Sequence, residues 1–155
     1  MTEIERKFLI TSEDFKKEAT SKAYIVQGFL NSDPERTVRV RLKNDKGFLT
    51  VKGKSSEDGT TRFEWETEIS EKEAKKLLEI CEKGVVEKYR YEVPYKGNLF
   101  EVDEFLGDNE GLVIAEIELN EVLQNFAKPS WLGKEVTGNA KYYNSQISKN
   151  PYKNW

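Results

Sequence analysis

Apolar and polar residues alternate along most of this chain. In the first ten residues Glu3, Glu5 and Lys7 occupy every second position, while the apolar partner positions run through Ile4 and on to Phe8 and Ile10. Side chains two apart share one face of a β-strand, so this segment has one ionic and one largely apolar face. The same period predicts eight strands, near residues 2–10, 23–31, 36–44, 47–54, 61–69, 84–95, 98–105 and 112–119. Between them lie turn-forming stretches: Asn31-Ser32-Asp33-Pro34, Asn44 to Gly47, Ser55 to Gly59, Lys96-Gly97-Asn98 and Gly107 to Gly111. Loops this short imply antiparallel neighbours.

Helical periodicity is rarer. Ser70 and Glu73 form a capping-box pair, after which Ala74, Leu77, Leu78 and Cys81 fall on one helical face until Gly84 ends the segment. That helix is expected to cover a sheet, with Cys81 as a core residue. Shorter helices are expected after Thr11 or Ser12, after Asn120, and from about Gly138 to Ser148.

Composition narrows the chemistry. The 155 residues fit a single domain spanning 1–155, and the 25 basic and 28 acidic residues leave a net charge of only −3. Abundant but balanced charge argues against a nucleic-acid partner, which calls for a basic excess. Histidine is absent and Cys81 is the only cysteine, so histidine-based nucleophilic triads, disulfides and zinc sites built on nitrogen or sulfur are excluded. Any metal must be held by oxygen. The longest strongly apolar run, Leu112 to Ala115, is far short of a membrane span. A cytoplasmic location is expected, and nothing in the sequence sets the oligomeric state.

The polar faces of the predicted strands are ionic almost throughout. In Val38-Arg39-Val40-Arg41-Leu42-Lys43 the odd positions are basic and the even ones aliphatic; in Arg62-Phe63-Glu64-Trp65-Glu66 the even positions are charged and the odd ones aromatic. Lys52, the pair Lys88 and Arg90, the pair Glu101 and Asp103, and the pair Glu116 and Glu118 follow the same rule. Ordinary amphipathic strands that face water explain any one of these. As a set they suggest more, because solvent faces of sheets usually carry Thr, Ser and Gln as well. Closed into a barrel, eight such strands would turn about fifteen charges inward, and an interior of that kind must hold water or a charged ligand. Lysine and arginine suit phosphate oxygens, and carboxylates without histidine or thiolate suit Mg²⁺ or Mn²⁺. A metal-complexed polyphosphate satisfies both sets.

These motifs, in this order, resemble the CYTH superfamily, the triphosphate tunnel metalloenzymes. The resemblance rests on Glu3-x-Glu5-x-Lys7, Arg39-x-Arg41, Leu49-Thr50-Val51-Lys52, Arg62-x-Glu64-x-Glu66, Glu87-Lys88-x-Arg90, Glu101-Val102-Asp103 and Ala115-Glu116-Ile117-Glu118. It implies a mainly β (α+β) fold, an eight-stranded antiparallel closed β-barrel with a few flanking helices. Lys7, Arg39, Arg41, Lys52, Arg62, Lys88 and Arg90 would grip a small triphosphate anion. Glu3, Glu5, Asp103, Glu116, Glu118 and Glu101 would hold Mg²⁺ or Mn²⁺. Glu64, Glu66 and Lys88 are the candidate catalytic residues, either carboxylate serving to orient the attacking water. The stretch from Pro129 to Thr137, followed by Lys141-Tyr142, resembles a segment that closes one tunnel end. There Lys141 would reach a terminal phosphate or remain a surface lysine.

The implied activity is metal-dependent hydrolysis of a triphosphate, foremost inorganic tripolyphosphate. The alternatives are hydrolysis of thiamine or nucleoside triphosphates, cyclisation of ATP, and a non-catalytic polyphosphate-binding module. Cyclases of the family carry a His-Phe pair upstream of the opening glutamates; here two residues precede Glu3 and histidine is absent. Retention of both acidic and basic residues favours an enzyme over a simple binder.

Overall fold

A computed structural model describes residues 1–155. Eight strands form a closed antiparallel barrel: β1 (Thr2–Ile10), β2 (Ser21–Asn31), β3 (Arg36–Lys43), β4 (Lys46–Gly53), β5 (Thr61–Ile69), β6 (Val86–Tyr95), β7 (Asn98–Phe105) and β8 (Val113–Glu118). The order around the barrel is β5-β4-β3-β2-β6-β7-β8-β1, and β1 closes it by pairing Thr2–Ile4 with Phe63–Thr61 of β5. A short ninth strand, β9 (Leu132–Glu135), outside the eight that periodicity predicts, adds to β1 at Phe8 and Ile10.

Registers follow from the alternation. Lys7 stands opposite Glu116 and Glu5 opposite Glu118 on the β1–β8 ladder, while Arg90 stands opposite Asp103 on the β6–β7 ladder. Directly opposed residues share a face, so a one-residue slip on any ladder would turn ionic side chains into the outer core. Register and the sorting of charge are therefore one constraint.

The outer faces carry the apolar packing. Helix α2 (Glu71–Glu79) begins at the predicted capping box, in which Ser70 Oγ accepts from Glu73 N–H at 3.0 Å and Glu73 Oε1 accepts from Ser70 N–H at 2.9 Å. It lies over β2–β4 and seats Ala74 against Gly47, where a Cβ would come within 2.8 Å of the alanine methyl. Cys81 is half-buried against Gly28 of β2, a contact residue at the rim of the helix and not part of the deep core expected of it.

The opposite side of the barrel is covered by α1 (Phe15–Glu18) and by the irregular chain from 119 to 131. Phe8, Phe15, Phe100 and Trp131 are fully buried there among Val93, Val102, Ala115 and Ile117, with edge-to-face ring contacts centred 5.4–6.0 Å apart. Burying each such side chain is worth roughly 2–3 kcal/mol. The helix expected after Asn120 is absent. A single turn closes there, with Gln124 Oε1 accepting from Asn120 N–H at 2.7 Å, and the chain then stays extended so that Phe126 reaches Phe8 and Phe100.

The barrel interior changes character at one end. Lys88 faces Phe105 across the ladder, Asp103 faces Ile114, and Val86 faces Gln27. The inward row of ionic residues thus continues into Val86, Phe105 and Ile114, which join Leu112 and Ile147 in a second apolar cluster. Ile147 belongs to α3 (Asn144–Lys149), so the barrel is stoppered here by its C-terminal segment. Two glycines let that segment approach: Gly84 (φ 95°) takes a Cβ-forbidding position against Ser148 O, and Gly59 (φ 77°) lies directly on Gly138. The stretch from Pro129 to Thr137, expected at a tunnel end, instead runs along the outside, with Trp131 in the outer core.

Candidate active site

The barrel encloses a cavity of about 200 Å³, and only two of its twenty lining residues are hydrophobic. Seven cations line it, Lys7, Arg39, Arg41, Lys52, Arg62, Lys88 and Arg90, together with seven carboxylates, Glu3, Glu5, Glu64, Glu66, Glu101, Glu116 and Glu118. All fourteen come from the charged faces that alternation marks. Two expected members are not in the lining, Asp103 and Lys141.

Asp103 lies behind the wall, wholly buried. Its Oδ1 accepts from Arg90 Nε at 2.8 Å, and its Oδ2 accepts from Arg90 Nη2 at 2.9 Å and from Lys88 Nζ at 2.8 Å. Both oxygens are saturated by cations, so the expected ligation of metal by Asp103 gives way to a bidentate clamp. Burial alone would push its carboxyl up, yet Arg90 and Lys88 outweigh that and hold it at about 2. Burial dominates at Lys88 and, against the pull of Asp103, lowers its ammonium to about 8. Arg90 goes the other way: Asp103 overcomes desolvation and raises it well above the ordinary guanidinium value.

Across the cavity two lysines each bridge a pair of carboxylates. Lys7 Nζ lies 3.1 Å from Glu5 and 3.0 Å from Glu116; Lys52 Nζ lies 3.1 Å from Glu3 and 3.3 Å from Glu64. Desolvation would raise the Glu5 carboxyl, but Lys7 and then Lys52 bring it down to about 2. Lys7 moves up, since Glu116 and Glu5 prevail over burial. Glu3 is raised, first by burial and then by its hydrogen bond with Glu64, whereas the same bond lowers Glu64.

Arg39, Arg41 and Arg62 are held differently. The Nε atoms of Arg39 and Arg41 are buried without a hydrogen-bond partner. Their only carboxylate is Glu66, at 3.7 and 3.5 Å, and Glu66 is itself tied by Thr50 Oγ1 at 2.6 Å. Burial, then the neighbouring arginines, lowers both guanidiniums, Arg41 to about 10. Arg62 forms no ion pair and sits 5.9 Å from the Tyr143 ring centroid. The unused buried donors of Arg39 and Arg41 need an anion, and with Arg62 lining the same cavity the three suit a polyanion with several oxygens.

The carboxylates suit a hard divalent cation in donor type. Glu118 is exposed beside Glu3, Glu101 and Glu5, and its carboxyl is raised first by desolvation and next by those neighbours. No three carboxylates converge tightly enough to make a ready cage, because Lys7 and Lys52 stand between them. The residues therefore fit a metal that arrives with phosphate oxygens to complete its shell.

Lys141 is exposed on a 3-10 turn, its Nζ 4.1 Å from the Trp155 ring centroid, and does not reach the cavity. The adjacent Tyr143, Asn144 and Ser145 do line it. Periodicity missed them because they belong to no strand; the only signal was the polar Tyr-Asn-Ser run that opens a short helix. Thr50, from the Leu49–Lys52 motif, completes the lining with Phe29 and Thr37, which no motif marked.

Comparison with known proteins agrees with this geometry. The chain is 52% identical over 154 residues to an inorganic triphosphatase of Acetivibrio thermocellus, covering 99% of this chain and 97% of that protein. It is 35% identical over 153 residues to an inorganic triphosphatase of Nitrosomonas europaea, at 96% and 97% coverage. A crystal structure of an inorganic triphosphatase superposes with a TM-score of 0.67 at 30% identity, covering 94% of this chain and 96% of that one. A Hippeastrum adenylyl cyclase homologue, described as having dominant triphosphatase activity, shares the fold at a TM-score of 0.60 and 18% identity, over 77% and 80% of the two chains. The CYTH domain model matches residues 1–151, and the chain belongs to the CYTH domain family.

Proposed function

We propose that this protein hydrolyses a triphosphate, foremost inorganic tripolyphosphate, to pyrophosphate and phosphate, with a divalent metal, Mg²⁺ or Mn²⁺. The observation that carries the reading is the pair of β3 guanidiniums whose buried Nε atoms have no partner, lining one small ionic cavity with Arg62 of β5 and with carboxylates of β1 and β8. The names of the relatives point the same way.

In this reading Arg39, Arg41 and Arg62 bind the non-bridging phosphate oxygens, and Lys7, Lys52 and Arg90 complete the cationic wall. Glu3, Glu5, Glu116 and Glu118, with Glu101 beside them, would hold the metal, which would supply charge neutralisation and polarise the scissile phosphoanhydride. Glu66, tethered by Thr50 and the β3 arginines, orients the attacking water, with Glu64 beside it. Lys88 Nζ, neutral in a substantial fraction of molecules near pH 8, takes the proton as the water oxygen bonds to phosphorus and the P–O–P bridge breaks. Asp103 positions Lys88 and Arg90.

The stoppered end gives a substrate preference. The cavity lining is polar in all but two of twenty residues, which favours bare phosphate groups over a base inside it. Phosphate release from tripolyphosphate, thiamine triphosphate, ATP and longer polyphosphate with Mg²⁺, Mn²⁺ or chelator tests the proposal. The expected result is turnover of tripolyphosphate that chelator abolishes; conversion of ATP to cyclic AMP and pyrophosphate would favour the cyclase alternative. Glu118→Gln separates enzyme from binding module, since a pure binder would keep or tighten its anion affinity and an enzyme would lose turnover.

A further inference from the structure

Asn144 opens α3 and enters the cavity from the stoppered end. Its Oδ1 accepts two hydrogen bonds, from Gln27 Nε2 at 2.7 Å and from Lys88 Nζ at 3.1 Å. Two donors aimed at one atom fix the amide, because a flipped side chain would present Nδ2 to an ammonium. Gln27 is fully buried and its Oε1 has no partner, so the bond to Asn144 is the only one its side chain makes.

Lys88 is surrounded closely. Asp103 Oδ2 accepts from Nζ at 2.8 Å, and the Phe105 ring centroid lies 5.5 Å away on the apolar side. A lysine nitrogen has three directions besides its carbon. Asp103 takes one and Asn144 a second, and since Lys88 lines the cavity the third is left for whatever enters it.

We propose that Asn144 is a positioning residue for Lys88: its carbonyl oxygen aims the third direction of Nζ at the substrate, so that seating of α3 and alignment of the active-site lysine are one event. The C-terminal helix is then part of the catalytic machinery as well as the stopper. This deepens the hydrolytic reading given above and rests on it.

The test compares Asn144→Ala and Asn144→Asp with the wild-type protein on tripolyphosphate. The alanine variant is expected to lose about tenfold or more in kcat while KM stays within about threefold, the pattern of a lost transition-state alignment. The aspartate variant keeps an acceptor at the same place and adds a charge that favours the ammonium. Its kcat should recover at high pH, with the rising limb of the profile displaced upward by about one unit. Should the alanine variant fail to fold, the aspartate profile decides the matter alone. A wild-type kcat in Asn144→Ala overturns the proposal, as does an aspartate profile that coincides with the wild-type one. Those results differ from failure of the hydrolytic reading itself, in which the wild-type protein releases no phosphate.

Discussion

Arg90 and Arg41 project from neighbouring parts of the barrel into the same cavity, yet the protein satisfies them in opposite ways. Arg90 spends Nε and Nη2 on the two oxygens of Asp103, at 2.8 and 2.9 Å. Arg41 meets one carboxylate at 3.5 Å, and its Nε is buried with no partner at all. Electrostatics follow: the first guanidinium is held charged well beyond its ordinary range, and the second is pulled down by desolvation, then by Arg39 and Arg90, to about 10. The β6–β7 wall is complete in the protein alone, whereas the β3–β5 wall is completed by what binds. The fold is expected to depend on the first and ligand affinity on the second.

Breaking the complete wall should have the largest effect. Asp103→Ala strands two buried cations and is expected to lower stability by about 3–5 kcal/mol in denaturant unfolding. The same clamp gives an acid dependence. Because the folded carboxyl titrates near 2 and its ordinary value is 3.8, its contribution of about 2 kcal/mol is present above the ordinary value and disappears as pH falls toward 2. An Asp103→Ala protein should show a correspondingly flatter acid limb.

A change on the open wall should do the reverse. Arg62→Ala removes a cation with no ion pair, so stability should stay within about 0.5 kcal/mol while tripolyphosphate affinity falls roughly tenfold. Between these lies Lys88. If its neutral form accepts the proton, kcat/KM should rise with pH along a limb near 8, since burial has lowered its ammonium to about that value. A rate independent of pH from 6 to 9 would remove Lys88 from that role. The smallest effect is expected at Lys141, whose Nζ rests on Trp155 outside the cavity; Lys141→Ala should leave kcat/KM within about twofold.

The sequence exposed much of this and hid specific parts. Period-two alternation places a residue on a face, and the barrel strands follow it, with ionic residues directly opposed along the β1–β8 ladder and at Arg90 and Asp103. Alternation says nothing of depth along a strand. Glu101 and Asp103 share a face and a charge, but Glu101 lines the cavity and Asp103 lies sealed between Lys88 and Arg90. Depth also hid the stopper, because Phe105 and Ile114 continue the inward rows and read as ordinary strand ends. Tyr143, Asn144 and Ser145 escaped since they reach the site through packing of α3 on the second apolar cluster, a contact with no local period. The helix expected after Asn120 failed for a similar reason: the aromatic core required an extended chain to deliver Phe126 and Trp131.

The most direct test of the contrast between the two walls is a calorimetric titration of tripolyphosphate, with metal chelated, into the wild-type protein and an Arg39→Ala/Arg41→Ala double variant. The wild-type protein is expected to bind one anion per chain, and the variant to lose about a hundredfold or more in affinity at unchanged unfolding stability. Equal affinity in the two proteins, or a double variant that fails to fold, would contradict that contrast.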